Sequence, residues 1–442
     1  MTNNQAAEAQ AEEKKEKPLK FLFVSFEGLI GDLAWQVKKE GCEVKYYIHD
    51  KSEKDVCDGF VEKCDDWKEF KDWANVIVFD DIGFGQIAED LRKEGKLVVG
   101  GSVYTDKLED DREFGQDELK KAGINILPHW DFNDFDEAIG FVKKNPDRYV
   151  IKPSGKAQNE KELLFVGQEE DGNDVVDVLQ HYKKSWSKKL NNFQLQKFVQ
   201  GVEIAIGVFF NGKDSVYPIF INFEHKKMFP GGLGPSTGEM GTLGMWCPPN
   251  KLFNETILKM KPALQASGYV GYVDLNCIVN ARGIYPLEWT MRFGYPTISL
   301  QLEGVTSNWS AFLRSIAAGE TVELKTKRGF QICVVIAVPP FPFTDQAAFK
   351  RYSEDATIIF KKPNLDGVHL GDVKLVEDDW RLAGQSGYAL IVTGSGTTVE
   401  EARKQAYSKV KNILIPNMFY RTDIGERWTN DSDMLYTWGY LY

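Results

Sequence analysis

Glu288 and Arg292 stand four residues apart in Tyr285-Pro-Leu-Glu-Trp-Thr-Met-Arg-Phe-Gly-Tyr-Pro296, at the end of an apolar strand and just before a Gly turn. A carboxylate is the kind of oxygen donor a hard divalent cation takes. A guanidinium is a donor for the oxygens of a phosphoryl group in transfer. A surface ion pair at a strand end would show the same two residues. Lys152 ends the apolar strand Tyr149-Val-Ile, and Pro153 stops the pairing there, so its ammonium can point into a cleft and neutralise a polyphosphate. An exposed strand-end lysine would look alike. In Gln196-Lys-Phe-Val-Gln-Gly-Val-Glu203 a short linker joins two strands. Its free backbone N–H and C=O groups could read an adenine edge, with Gln196 at one end. Glu203, at the other end, offers two acceptor oxygens to ribose hydroxyls. A hairpin with solvated polar ends is the plain alternative.

Asp274 interrupts an otherwise apolar strand, Val273-Asp-Leu-Asn, and needs a partner if buried. Joined to Glu288 across the Asn280–Gly283 turn, it would complete the one or two carboxylates that magnesium takes beside substrate phosphates; an arginine is the other candidate partner. The run Glu224-His-Lys-Lys-Met-Phe-Pro-Gly-Gly-Leu-Gly-Pro-Ser-Thr-Gly-Glu-Met-Gly241 is glycine-rich, so its N–H groups could approach an anion closely, or it could be a flexible lid. It is not a Walker loop, since no Gly-Lys-Ser/Thr is present. Gly28-Leu-Ile-Gly31 is too short for a dinucleotide fingerprint. His49, His129, His181 and His369 show neither triad nor metal spacing.

These residues need elements to position them. Phe21–Ser25, Val44–Ile48, Val76–Asp80 and Leu97–Gly100 read as strands, with helices at about 32–40 and 84–94 between them. Strand alternating with helix implies a parallel sheet covered on both faces. A charged helix follows at 106–122. Strands are expected at 149–153, 163–166, 193–199, 203–210, 216–222, 270–279 and 283–289, with a helix at 251–267. Beyond a strand at 330–338 and another at 389–394, a helix from Thr398 carries Val399, Ala402, Ala406 and Val410 on one face. The expected division is a disordered tail at 1–19, an α/β domain at 20–103, a central α+β domain at 104–325 and a small C-terminal α/β domain at 326–442.

The bulk properties bound the function. A chain of 442 residues is too long for one ordinary core. The net charge of −11 argues against nucleic acid as the main ligand and requires local Lys and Arg to draw any anionic substrate. No apolar run is long enough to span a membrane. The six cysteines form no CxxC pair, and residues 1–19 lack the apolar core of a secretory signal, which fits a reducing cytoplasm.

Taken together, the residues resemble the ATP-grasp superfamily and, within it, the phosphoribosylamine–glycine ligase (glycinamide ribonucleotide synthetase) family. Glu224-His-Lys-Lys…Gly-Pro-Ser-Thr-Gly-Glu-Met-Gly is similar to the family's Asp-His-Lys-Arg…Gly-Pro-Asn-Thr-Gly-Gly-Met-Gly. Leu287-Glu-Trp-Thr-Met-Arg-Phe-Gly-Tyr-Pro resembles its Glu-Phe-Asn-Cys-Arg-Phe-Gly-Asp-Pro, and Tyr420-Arg-Thr-Asp-Ile-Gly-Glu-Arg its Arg-Lys-Asp-Ile-Gly-Trp-Arg. The resemblance implies a pre-ATP-grasp domain, an ATP-grasp domain and a C-terminal domain. It implies ATP with Mg2+ (or Mn2+) and small-molecule carboxylate and amine substrates, in a cytoplasmic monomer or homodimer. Lys152 and Arg112 would contact ATP phosphates, Gln196, Lys197, Phe198 and Val199 the adenine, and Glu203 the ribose. Glu288, with Asp274 and Thr290, would hold the metal. Arg292 would stabilise the transferring phosphate, and Glu224, Lys226, Gly238, Met240, Gly241 and Arg292 would face the substrate. The implied reaction activates glycine as an acyl phosphate, which phosphoribosylamine attacks, a step of purine synthesis. An ATP-grasp ligase with another amine acceptor and a non-catalytic ATP-grasp scaffold are the alternatives. The chain departs from the pattern in four places. Gly28-Leu-Ile-Gly-Asp replaces the family's Gly-Gly-Arg-Glu-His, and Thr290 replaces an Asn. Gly294-Tyr-Pro-Thr replaces Gly-Asp-Pro-Glu, and the stretch after Lys152, Pro153–Lys161, is poorer in glycine.

Overall fold

The computed structural model describes residues 17–154, 163–186, 190 and 192–441. Most of the expected N-terminal tail and most of the stretch after Pro153 lie outside the described residues.

The N-terminal segment is a parallel four-stranded sheet. Its strands are β1 (Lys20–Ser25), β2 (Glu43–Ile48), β3 (Val76–Phe79) and β4 (Leu97–Val99), in the order β2-β1-β3-β4. Helices α1 (Gly31–Lys39) and α2 (Gly85–Lys93) make the crossovers. Their apolar residues Leu33, Ala34 and Val37, and Ala88 and Leu91, are buried at helical spacing. A Cβ on Gly31 would lie 2.1 Å from Cys57 Sγ, so only glycine lets α1 start this close to its neighbour.

The charged helix expected at 106–122 is two helices, α3 (Val103–Asp110) and α4 (Arg112–Lys121). Asp111 leaves the helical region and its side chain accepts from Phe114 N, so it caps the second helix and breaks the first. A small antiparallel sheet follows, built from β5 (His129–Phe132), β6 (Tyr149–Pro153), β7 (Phe165–Val166) and β8 (Phe193–Lys197) in the order β5-β8-β6-β7. Helices α5 (Phe135–Lys144) and α6 (Asn173–Ser185) pack on it around a core of its own, with Ile151, Phe193 and Leu195 fully buried.

The large sheet is antiparallel and has eight strands. Five precede residue 300: β9 (Val202–Asn211), β10 (Ser215–Glu224), β13 (Gly241–Cys247), β14 (Val270–Asn280) and β15 (Gly283–Thr290), with the short hairpin β11 (Lys227–Phe229) and β12 (Leu233–Ser236) between β10 and β13. The glycine-rich loop is thus partly a hairpin. The sheet order β15-β14-β9-β10-β13 continues through β16 (Phe330–Ala337) to the strands Tyr388–Gly396 and Val368–Leu370. Strand β16 pairs with β13 from Gly241↔Val334 onward, so the sheet passes through residue 325 without interruption. The helix Val399–Val410 buries Val399, Ala402, Ala406 and Val410, the face its sequence predicts. Among the described residues no helix is long and apolar enough to cross a membrane.

Candidate active site

The segment that joins β8 to β9 links the small sheet to the large one. The chemically distinctive side chains come from strands of both sheets, from the start of α4 and from the turn after β10. Register sets the arrangement on the large sheet: Asn276 pairs with Ala205 on one side and Glu288 on the other, Ile278 pairs with Glu203, and Asn222 pairs with Ala205. With a period of two along each strand, Glu203, Glu224, Asn276 and Glu288 share one face.

They touch. Asn276 Nδ2 donates to Glu203 Oε1 at 3.2 Å and to Glu224 Oε2 at 3.0 Å. Lys226 Nζ lies 2.8 Å from Glu288 Oε1 and 3.3 Å from both Glu203 Oε1 and Glu224 Oε2. One ammonium therefore gathers three carboxylates. Lys226 holds Glu288 down to about 2 against the upward push of burial, with Arg112 and Lys152 adding to the effect, although half the Glu288 side chain is open to solvent. Burial alone would lower Lys226, but the three carboxylates outweigh it and raise its pKa well above the ordinary value. Glu224 is raised by burial first and by Glu203 and Glu288 after it, with Lys226 opposing.

The cations come from other elements, the small sheet and α4. Lys152, the last residue but one of β6, is buried and is lowered to about 7 by desolvation and then by Arg112. Arg112 opens α4; burial lowers it and Glu288 draws it back, and its Nε has no hydrogen-bond partner. Lys152, Arg112, Glu203 and Glu288, with Glu224 and Lys226, are thus brought to one place.

Other expected residues are placed differently. Asp274 pairs with Thr290, one step along from Glu288, and its Oδ2 accepts from Asn222 Nδ2 (3.1 Å) and Tyr272 OH (3.0 Å). Burial, then Glu224, lifts it to about 7. The partner opposite Glu288 is Asn276, so Asp274 and Thr290 form a separate pair. Strand β15 ends at Thr290, so the alternation that would have put Arg292 on the face of Glu288 stops two residues short. Arg292 Nε instead meets Asp81 Oδ1 at 2.9 Å and Glu109 Oε1 at 3.0 Å, tying the strand end to the N-terminal segment and α3. Burial would lower its pKa, but those carboxylates raise it.

In the β8–β9 linker, Lys197 N donates to Pro128 O and Phe198 N to Arg148 O, both at 2.9 Å, so two of the amides expected to be free are engaged. Lys197 Nζ pairs with Asp147 at 2.6 Å, and the Arg148 guanidinium lies 3.7 Å from the centre of the Phe198 ring. Gln196 is buried with an unpartnered Nε2, and Val199 is half-buried beside it in sequence. In the glycine-rich loop, Thr237 N donates to Lys226 O and Met240 N to His225 O, while Gly241 O accepts from His225 N, so these backbone groups fix Lys226 rather than an anion. Gly238 is exposed and Met240 fully buried.

Five residues were not anticipated. Asn276 had a signal, since it stands two positions from Asp274 and so on the same strand face. Glu239 is buried with an unpartnered Oε1, raised by burial and then by Glu224. His225 is buried, accepts from Gly425 N at 3.3 Å, and is lowered to about 3 by burial, Arg427 and Arg421. Arg427 Nη2 donates to the carbonyls of Glu203 (3.2 Å) and Glu224 (3.1 Å). Arg421 forms a two-pronged pair with Asp423 and donates to Lys227 O at 2.8 Å. The Tyr420–Arg427 motif thus clamps the backbone that carries the acidic cluster.

Two consecutive stretches match one family. Residues 110–298 match the phosphoribosylglycinamide synthetase ATP-grasp (A) domain, and residues 331–427 the phosphoribosylglycinamide synthetase C domain. The chain belongs to the phosphoribosylglycinamide synthetase family of ATP-grasp proteins. This bears out the resemblance read from the motifs and the fold class it implied. Among the family's curated members, the phosphoribosylamine–glycine ligase of Clostridium acetobutylicum is 25% identical over 355 residues, covering 77% of this chain and 81% of its own. That of Caulobacter vibrioides is 26% identical over 359 residues, covering 77% and 80%. In structure, the phosphoribosylamine–glycine ligase of Thermotoga maritima superposes with a TM-score of 0.70 at 22% identity, over 92% of this chain and 100% of that one. The biotin carboxylase domain of 2-oxoglutarate carboxylase from Hydrogenobacter thermophilus, solved with MgADP, ADP and bicarbonate, superposes at 0.64 with 13% identity, over 91% and 92%. Both likenesses show the ATP-grasp fold.

Proposed function

We propose that this protein is an ADP-forming carboxylate–amine ligase of the phosphoribosylamine–glycine ligase type. One observation carries the reading: Lys226 gathers Glu203, Glu224 and Glu288, and Lys152 and Arg112, from the small sheet and α4, lie within electrostatic reach of Glu288. The donors suit a magnesium nucleotide. They are hard oxygens, and Asn276 Oδ1 is buried and unpartnered among them. Among the described residues no three His, Cys, Asp or Glu form a closed metal cage, so phosphate oxygens would have to complete the coordination around Glu288. Magnesium, when bound there, supplies charge neutralisation at the polyphosphate. Lys152 and Arg112 would hold the phosphate oxygens, Glu203 the ribose hydroxyls, and Gln196 to Val199 the adenine. Such phosphoryl transfer needs positioning and charge more than a histidine base.

In the reaction, a carboxylate oxygen takes the γ-phosphoryl group, giving an acyl phosphate and ADP. A neutral amine then forms the C–N bond, the C–O bond to phosphate breaks, and the proton from the amine leaves with the phosphate. Glycine and phosphoribosylamine, the pair in the relatives' names, are the first to assay. The cytoplasm suits the six cysteines, all free. The test is thermal stability with and without Mg-ATP, since a ligand that binds the folded state raises the melting temperature. It is followed by ADP release with glycine and phosphoribosylamine. No shift at saturating Mg-ATP would sink the ligase reading. A second reading changes only the amine. It is favoured by the turn after β1, Phe26-Glu27-Gly28-Leu-Ile-Gly31, which carries a carboxylate and no cation.

A further inference from the structure

A cleft of about 500 Å³ opens where three parts of the chain meet: α1, the turn joining the helices Thr297–Gly304 and Trp309–Ala317, and the turn before the strand Val368–Leu370. That volume is in the range of small-molecule sites. None of the residues placed above at the nucleotide lines it. Helix α1 turns one face toward it, since Asp32, Gln36, Lys39 and Glu40 recur at helical spacing. The cleft also has an apolar wall. Val305, Trp309 and Val368 are buried there, with Leu302 and Leu365 half-buried beside them.

Most of the charges around the cleft are already answered. Asp32 Oδ2 meets His369 Nδ1 at 2.7 Å, and its Oδ1 accepts from Leu370 N at 3.2 Å. Glu303 is met by Lys327 Nζ at 2.7 Å and by Thr393 Oγ1 at 2.9 Å. Glu40 accepts from Trp309 N at 3.0 Å and from Ser310 N at 2.8 Å, so it fills the helix N-terminus that would otherwise attract an anion. Two charges of opposite sign are left. The Lys39 ammonium lies 3.9 Å from the centre of the Trp35 ring, and among the described residues neither it nor the Asp366 carboxylate forms an ion pair. Lys409, which feels the charge of Asp366, donates instead to Thr393 O at 2.8 Å. A further observation is independent of these charges. Trp309 is only 2% exposed, and its indole Nε1 has no hydrogen-bond partner. Phe209 and Phe312 pack against its ring and offer it no acceptor, whereas the cleft it lines has room for one. A buried N–H left unpaired is costly unless something completes the bond.

We propose that this cleft is a second ligand site, and that it takes a zwitterion with an apolar body, a free amino acid larger than glycine. Its carboxylate would meet Lys39 and the Trp309 indole, its ammonium Asp366, and its side chain the wall of Leu302, Val305 and Leu365. A lone anion finds the helix N-terminus occupied by Glu40 and leaves Asp366 unanswered. A lone cation leaves Lys39 and the indole without an acceptor. A zwitterion answers all three groups at once. The ligand would also bridge α1 to the turn before Val368, beside the existing Asp32–His369 contact, so occupancy should stabilise the folded chain. The proposal does not rest on the ligase reading, and no bond is made or broken in it.

The test uses the full chain without nucleotide. The melting temperature and calorimetric binding are followed with leucine, phenylalanine and 6-aminohexanoate, and with hexanoate and hexylamine as their singly charged counterparts. At least one zwitterion should raise the melting temperature and bind about tenfold or more tightly than either counterpart. Lys39→Met and Asp366→Asn should each weaken that binding about tenfold, the loss of one charge-assisted contact. Both side chains are exposed, so the variants should fold. Glu288→Gln, in the nucleotide site, should leave the affinity for the zwitterion unchanged. No zwitterion bound, equal binding of hexanoate or hexylamine, or binding indifferent to Lys39→Met and Asp366→Asn overturns the proposal. Weakening by Glu288→Gln instead would place the ligand in the nucleotide site and overturn it as well.

Discussion

Replacing Lys226 with Met removes the one ammonium shared by Glu203, Glu224 and Glu288 at 2.8–3.3 Å. Breaking a buried pair from one side costs about 3–5 kcal/mol, whereas an exposed pair contributes about 0.2–1 kcal/mol. The side chains are between those limits: Lys226 is 30% exposed, Glu224 17%, Glu203 29% and Glu288 52%. Discounting for solvent screening gives a loss of about 2 kcal/mol without ligand. At about 2–4 °C per kcal/mol for a cooperative unit of about 200 residues, the melting temperature should fall by about 4–8 °C. Magnesium or manganese, without nucleotide, should then stabilise Lys226→Met more than the wild type, because the divalent ion meets the same carboxylates without a competing ammonium. The acid limb follows with a definite sign. Glu288 is held at about 2, below its ordinary value, so its contribution is full above the unfolded pKa and is lost as pH falls toward about 2. Without Lys226 that contribution shrinks, and stability should depend less on pH between about 4.5 and 2. Differential scanning calorimetry with and without divalent ion, repeated down the acid range, measures both. An unchanged melting temperature together with an unchanged response to the ion would refute the idea that Lys226 organises the three carboxylates.

Lys152, buried and lowered to about 7, should take up a proton when polyphosphate binds, so Mg-ATP affinity should fall as pH rises above 7. Calorimetry in buffers of different ionisation enthalpy reads that uptake, and Lys152→Met should abolish it. Arg292→Ala should destabilise the chain by about 3 kcal/mol, the loss from breaking a largely buried pair, and leave the Mg-ATP shift intact; a lost shift would return Arg292 to the phosphate. Asn276→Asp should tighten divalent-ion binding, by adding a fourth acid to the cluster, while Asp274→Asn should leave it unchanged, and the reverse pattern would exchange their roles. Glu203→Ala should weaken ATP binding selectively, and an unchanged ATP KM would remove it from the ribose.

Much of the fold was legible because its signals are local. The buried runs Phe21–Ser25 and Val76–Phe79, and the helical spacing of Val399, Ala402, Ala406 and Val410, predict elements that the structure contains. Breaks set by one side chain were harder to read. Asp111 caps α4 through a hydrogen bond that charge periodicity does not reveal. Site residues were legible where type and spacing coincide with strand ends, as for Lys152, Glu203 and Glu288. They were misplaced where the inference ran past an element. Arg292 was expected beside the phosphate from its place four residues after Glu288, but β15 ends at Thr290 and the guanidinium turns to Asp81 and Glu109. Asp274 was paired with Glu288 without the register, and the bulge between Asn276 and Cys277, beside Pro286 with its missing N–H, sets that register.

What made the acidic cluster readable has a physical origin. Glu203, Glu224, Asn276 and Glu288 stand on strands of one sheet, where a side chain, its neighbour two residues away and the opposing strand are linked by the pleat, so sequence spacing translates into contact. Lys152 and Arg112 come instead from β6 of the small sheet and from α4, and Arg427, which holds the carbonyls of Glu203 and Glu224, comes from a segment far along the chain. No spacing rule joins these to the cluster, and only the packed structure shows which backbone they hold. The turn after β1, where the family's Arg and His are replaced, lies in another segment again, so it can change its charge while Lys152, Arg112, Glu203 and Glu288 stay fixed. On the ligase reading, a change of amine therefore needs no change in the residues that activate the acid.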